Sequence, residues 1–95
     1  MAGRFGHMVE VRATNERNGY HFFEPDTLRF FDSRIGDTLY GGRFFITSEK
    51  DRGAPRRYTI REAQYDGSVD TVGEFQAFAS LGKAAATIRA LLGEA

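Results

Sequence analysis

Alternation of apolar and polar residues is clearest in the second half of the chain. Leu39–Ser48 (LYGGRFFITS) is rich in aromatic and β-branched residues and predicts a strand, with Gly41–Gly42 marking a bulge or twist. Residues 49–55 (EKDRGAP) form a polar loop, and Arg57–Gln64 (RYTIREAQ) alternates as a second strand. Asp66–Gly67 predicts a two-residue type I′ turn, whose central positions both require positive φ. Ser68–Phe75 returns as the third strand. Ser80 is a good N-cap for a closing helix, in which Leu81, Ala84, Ala85, Ile88, Leu91 and Leu92 make one apolar stripe before Gly93.

The first half is less regular. Residues 1–6 (MAGRFG) read as a flexible lead-in. Between His7 and Asn18, Val9, Val11 and Ala13 alternate as in a strand. Met8, Arg12 and Asn15 with Val9, Ala13 and Glu16 keep helical spacing. Gly19 sits where a helix would stop, and Ala13–Asn18 is poor strand material, so a short helix is the preferred reading and a strand the alternative. In residues 20–35 (YHFFEPDTLRFFDSRI), Pro25 biases Glu24 toward extended geometry, and Asp26 or Thr27 can cap a turn of helix running to Asp32. Phe22–Phe23 and Phe30–Phe31 flank that turn. Adjacent helical residues diverge by about 100°, so one member of each pair belongs in the core and the other near the rim.

The order is helix, short helical turn, three strands, helix. It predicts a single α+β domain over residues 1–95: a three-stranded antiparallel meander with helices packed on one face. Tyr40, Phe44, Ile46, Tyr58, Ile60, Val69 and Phe75 are assigned to the helix-covered face. The opposite face receives Arg43, Phe45, Thr47, Thr59, Arg61, Val72 and Glu74. A one-residue slip at Gly41–Gly42 would exchange the first strand's two sets. This assignment leaves a candidate interaction patch of Arg43, Phe45, Arg61 and Glu74 on the open face. Its plain alternative is a cross-strand ladder of charged pairs around a partly covered ring.

Composition narrows the function classes. Ninety-five residues with 41% apolar and 27% charged suit one small globular domain. No apolar run approaches the roughly 18 residues that cross a bilayer, and no signal-peptide pattern precedes the first charges, so a cytoplasmic protein without membrane association is expected. Thirteen basic and 13 acidic residues cancel, which removes long-range attraction to nucleic acid. Locally the balance is uneven: residues 1–61 carry +3 and residues 62–95 carry −3. Among the cations 11 are Arg and 2 Lys, a bias that suits interface recognition and that a G+C-rich genome would also produce. Lys50, Arg52, Arg56 and Arg57 crowd around Asp51 in the first interstrand loop, as a solvated hairpin tip or as a contact loop for phosphate or an acidic surface.

Chemistry-bearing motifs are sparse. There is no Cys, and His7 and His21 stand far apart, so no metal site is expected. No phosphate-binding glycine motif or nucleophile elbow occurs, and no cofactor is expected. The one acid–base candidate joins His21, Glu24 and Arg29, as a small nuclease would use. His21 lies in an aromatic stretch where packing or rim exposure is the commoner role. We expect no enzyme.

Two resemblances bear on function. The element order, with the closing helix SLGKAAATIRALL, resembles a double-stranded-RNA-binding domain. That family grips phosphates with a Lys cluster at the start of this helix, where only Lys83 stands here, so the implied nucleic-acid binding is weak. Residues 13–78, through HFFEPDTLRFFDSRI, LYGGRFFITSE, RRYTIR and DGSVDTVGEF, resemble small uncharacterised proteins of bacteriophages and other mobile elements in G+C-rich bacteria. That resemblance implies a stand-alone accessory protein that binds a host protein, including components of bacterial immunity, and it carries no catalytic residues. The leading expectation is therefore a non-enzymatic protein-binding module, for a host or defence component or for a second copy of itself. A nucleic-acid-binding module comes second.

Overall fold

Two strands of β-branched and aromatic residues, β2 (Phe44–Glu49) and β3 (Arg57–Ala63), pair antiparallel with Phe45 opposite Arg61 and Thr47 opposite Thr59. They form the centre of a computed structural model that describes residues 4–93. The other elements are α1 (Met8–Arg17), α2 (Pro25–Arg29), β1 (Arg34–Ile35), β4 (Val69–Val72) and α3 (Leu81–Leu91). The sheet is an antiparallel meander in the order β1-β2-β3-β4. The class is α+β, as expected, but with four strands rather than three.

The additional strand is β1, two residues that pair with Thr47 and Ser48. It exists because Gly41–Gly42 reverses the chain instead of bulging it. Both glycines adopt positive φ, 59° and 65°, and Tyr40 exchanges both backbone hydrogen bonds with Phe44 across the turn. Leu39 and Tyr40 consequently precede β2 rather than belonging to it. Arg4 and Phe5 are held by the same turn: their N–H groups donate to Gly42 O, and Arg4 reaches Glu62, Ala63 O and Gln64. Of the expected flexible lead-in, Arg4 and Phe5 are thus tied down, and residues 1–3 lie outside the described residues.

The β3–β4 hairpin turns where Asp66–Gly67 predicts, with different geometry. Gly67 N–H donates to Gln64 O, which closes a turn over Tyr65 and Asp66, and Gly67 alone takes positive φ (83°). This is a three-residue loop with a glycine bulge, not a type I′ turn. Gly67 is required for a second reason, since a Cβ there would lie 2.5 Å from Asn15 N on α1. That close approach lets Asn15 Nδ2 donate to Gly67 O at 2.7 Å and Asn18 Nδ2 to Asp66 O at 2.8 Å. Tyr20 OH donates to Asp66 Oδ2 at 2.7 Å. Hydrogen bonds from the Ser68 hydroxyl, from Tyr20 and from Ser68 N–H hold the Asp66 carboxyl down at about 2.

The two faces of the sheet are both covered, which corrects the one-faced arrangement. On the first, Phe44, Ile46 and Ile60 pack against Ala84, Ala85 and Ile88 of α3, with Tyr58, Val72 and Phe78 around them. Ser80 caps α3 by accepting from Lys83 N–H, as its sequence predicts. On the second, Phe45 and Ala63 pack under Val11 of α1 and Phe23, with Phe22, Ile35 and Val69 alongside. Face assignment succeeds for β2 and β3 and inverts for the third strand: Val69 joins the second face and Val72 the first. Parity along a strand is fixed by alternation, but parity between strands depends on the loop, and the bulged turn places Val69 opposite Ala63.

Candidate functional site

Helix α1 covers only the Phe45–Ala63 end of the second face. At the other end the inward side chains are polar: Thr47 and Glu49 from β2, Thr59 and Arg61 from β3. Their groups satisfy one another. Thr47 Oγ1 donates to Glu49 Oε2, and Thr59 Oγ1 donates to Glu49 Oε1 at 2.6 Å. Arg61 Nη2 donates to Glu49 Oε2 at 3.3 Å, its Nε to Thr47 Oγ1 at 3.0 Å, and its Nη1 to Thr71 Oγ1. Thr59 Oγ1 accepts in turn from Gln76 N–H at 2.8 Å. Gln76 takes a left-handed backbone (φ 58°), and Arg57 donates to Gln76 O and Ala77 O. Glu49 is 1% exposed, so this carboxylate–guanidinium pair is buried, and its cost is offset by the three hydrogen bonds Glu49 accepts.

Aromatic rings rise around this polar floor. Phe22 and Phe75 lie 5.3 and 5.5 Å from the Arg61 guanidinium carbon, close enough for cation–π attraction. Phe31 packs on Phe75 with centroids 5.4 Å apart and on Phe30 at 5.2 Å. Local backbone bonds set these rings: Lys50 N–H donates to Phe31 O at the end of β2, and Ser33 N–H closes back on Leu28 O after α2. Pro25 starts α2 from an extended Glu24, and Thr27 Oγ1 ties the helix to His21 O. Between the rings, α2 and the floor lies a cavity of about 430 Å³, bounded by Phe22, Leu28, Phe30, Phe31 and Phe75 with Arg61 below and Asp26, Thr27 and Ser33 at the side. Phe30 is 81% exposed. An apolar concavity with a few convergent polar groups is what a binding site requires.

The structure separates the four residues of the expected patch. Phe45 is fully buried in the second core, because α1 and Phe22–Phe23 cover what was read as an open face. Arg43 precedes β2, in the Gly42 turn, so strand parity no longer applies to it; it bonds Glu62 and lies over Phe44. Burial opposes ionisation of Glu62, but the Arg43 hydrogen bond and the charges of Arg43 and Arg4 outweigh it and lower its pKa. Glu74 falls in the segment after β4, which Gly73 ends with positive φ, and makes no ion pair among the described residues. Arg61 alone reaches the cavity.

In the basic loop, Arg56 bonds Asp32 and Ser48, and Arg57 bonds the carbonyls after β4, while Lys50 and Arg52 are exposed. The loop's cations thus divide between structural ties and solvent. His21 Nδ1 and Glu24 Oε1 meet at 2.8 Å on the surface, where His21 is 71% exposed; Arg29 pairs with Asp26. Neither His21 nor Glu24 lines the cavity. Among the described residues no three His, Asp or Glu side chains gather as a metal ion would need, and no helix is long and apolar enough to cross a membrane.

Glu49 and the four ring walls were not singled out by sequence. For Glu49 a signal existed, since Phe45-Thr47-Glu49 continues the period of two into a residue that EKDRGAP composition assigns to a loop. The rings meet only through the third dimension. No curated protein and no solved structure matches the chain. A family of unknown function does, over residues 7–89, and the chain belongs to that family, DUF7447.

Proposed function

We propose that the protein is a non-enzymatic protein-binding module and that the cavity between α2 and the polar end of the sheet is its recognition site. The observation that carries this reading is the ring-walled cavity of about 430 Å³ with Phe30 exposed at its edge. Solvated aromatic rings beside a concavity are costly to keep unless something covers them, and aromatic and Arg side chains in such places dominate interface energies. The partner contributes an apolar or aromatic side chain to the cavity. The resemblance to mobile-element proteins makes a host or defence protein the partner class we favour over a second copy of the chain.

The nucleic-acid reading has less support. Arg43, Arg61, Arg56 and Arg57, the cations it would use, are engaged within the chain. Phosphate affinity scales with the number of charges free to neutralise it.

Tagged protein and its Phe30→Asp variant, passed over nuclease-treated host lysate, test the proposal. A stoichiometric protein retained by the parent and lost by the folded variant is the expected result. Equal retention by both, or retention only before nuclease treatment, overturns it.

A further inference from the structure

The chemistry of the cavity floor narrows what can occupy it, given the reading of the cavity as the recognition site. Arg61 has five N–H groups, and three are used, by Thr47, Thr71 and Glu49. Two remain for an acceptor brought by a ligand. The Arg61 charge, however, is already opposed by Glu49, which lies 3.3 Å away and is shielded from water. An incoming carboxylate or phosphate would bring a second negative charge beside Glu49 in a site of low dielectric, where like charges are expensive. An ammonium group would meet the guanidinium. The walls of Phe22, Phe31 and Phe75 favour a flat ring.

We infer that the cavity accepts an uncharged aromatic group bearing an oxygen acceptor, the tyrosyl side chain of a partner protein, with its phenol oxygen taking a hydrogen bond from Arg61. Glu49 acts as the discriminator: it cancels the charge that would otherwise make Arg61 a carboxylate or phosphate site.

Three small probes separate these terms: p-cresol for the tyrosyl ring, toluene for the ring alone, and benzoate for the anion. Each is titrated into the labelled full chain, and amide and ring shifts of Phe22, Phe31, Phe75 and Arg61 are followed by NMR. We expect p-cresol to saturate these shifts in the millimolar range, with affinity about fivefold above toluene and about tenfold above benzoate, the size expected for one hydrogen bond and one charge conflict. Glu49→Gln removes the charge and keeps one acceptor oxygen, for one of the two threonines that donate to the carboxylate. In that variant benzoate should gain about tenfold while p-cresol changes less than about twofold. Benzoate binding as tightly as p-cresol to the parent overturns the inference, as does unchanged probe preference in a folded Glu49→Gln. No saturable shift at the cavity with p-cresol or benzoate up to about 50 mM, where even small fragments register, or with toluene up to its solubility, overturns it as well. These outcomes are distinct from failure of the protein-binding reading, which is decided by the Phe30-dependent capture: a partner lost with Phe30→Asp would stand even if the occupant were not tyrosyl.

Discussion

The two faces of one sheet are built on different rules. The first is apolar at its centre: Phe44, Ile46 and Ile60 meet a helix whose contribution is two alanines and an isoleucine, so α3 lies close over them, and its polar residues, Ser48 and Glu62, stand at the strand ends. The second begins the same way, with Phe45 and Ala63 under Val11, and then changes character two residues along each strand. There Thr47, Glu49, Thr59 and Arg61 replace the apolar side chains, and α2 with its rings stands off to leave a cavity. A fold that needed only stability would continue the first pattern. Buried ion pairs contribute little net stability compared with apolar packing of similar volume. On the proposed function, the polar end is the part of the molecule kept for recognition.

Breaking the buried pair on one side tests this most severely. Arg61→Ala leaves Glu49 buried without its counter-charge and should destabilise the protein by about 3–5 kcal/mol in urea unfolding. Replacing both partners, as Arg61→Met with Glu49→Leu, should recover part of that loss while abolishing partner capture, the remainder being the cost of the buried Thr47 and Thr59 hydroxyls left without their acceptor. If the double variant stays as unstable as Arg61→Ala, the polar end is a structural element and the contrast between the faces fails. On the apolar face, Ile88→Ala should cost about 3 kcal/mol through lost burial and a residual cavity, with no rescue by any second change and no specific loss of binding in the folded fraction.

How much of this was legible in the sequence follows from the same contrast. Alternation placed Phe44, Ile46, Tyr58 and Ile60 on one face and Phe45, Thr47, Thr59 and Arg61 on the other, and the capped stripe of α3 was plain from Ser80 onward. Within one element, periodicity is a local property and is readable. What covers a face is not. α1 carries Val11 and Asn15 inward at modest amphipathicity, so nothing in residues 7–18 announced that they close over Phe45. β1 is two residues long and owes its existence to the Gly41–Gly42 reversal, which a strand pattern absorbs as a bulge. The cavity joins Phe22, Phe31 and Phe75 from three separate segments, and no spacing rule links them.

The tie between α1 and the β3–β4 hairpin offers a milder, pH-dependent test. The Asp66 carboxyl sits at about 2 against an ordinary 3.8, so its contribution to stability is fully present above pH 4 and is lost as pH falls toward 2. Its partner Tyr20 is shifted the other way, chiefly by the hydrogen bond to Asp66, so deprotonation of the phenol above pH 10 should weaken the same link. Urea midpoints measured from pH 5 to pH 2 should fall less steeply for Asp66→Asn than for the parent. Parallel acid limbs would show that the hairpin tie does not contribute.

The smallest expected effect on stability belongs to Phe30→Asp. Phe30 is 81% exposed, and its contact is with the neighbouring ring of Phe31, so the substitution should alter stability by less than about 0.5 kcal/mol. Its effect on binding should be the reverse in rank. A carboxylate at the edge of the cavity places a solvated charge where a partner's ring must enter, near Asp26. The protein would then unfold at the parent's urea midpoint and yet capture nothing. That pairing of an unchanged fold with lost recognition separates the two ends of the second face, because no substitution in the Phe45 cluster could produce it: Phe45→Ala should lose about 3–5 kcal/mol before binding is affected at all. If Phe30→Asp binds as the parent does, the ring wall is only a surface, and the polar floor beneath it would need another explanation.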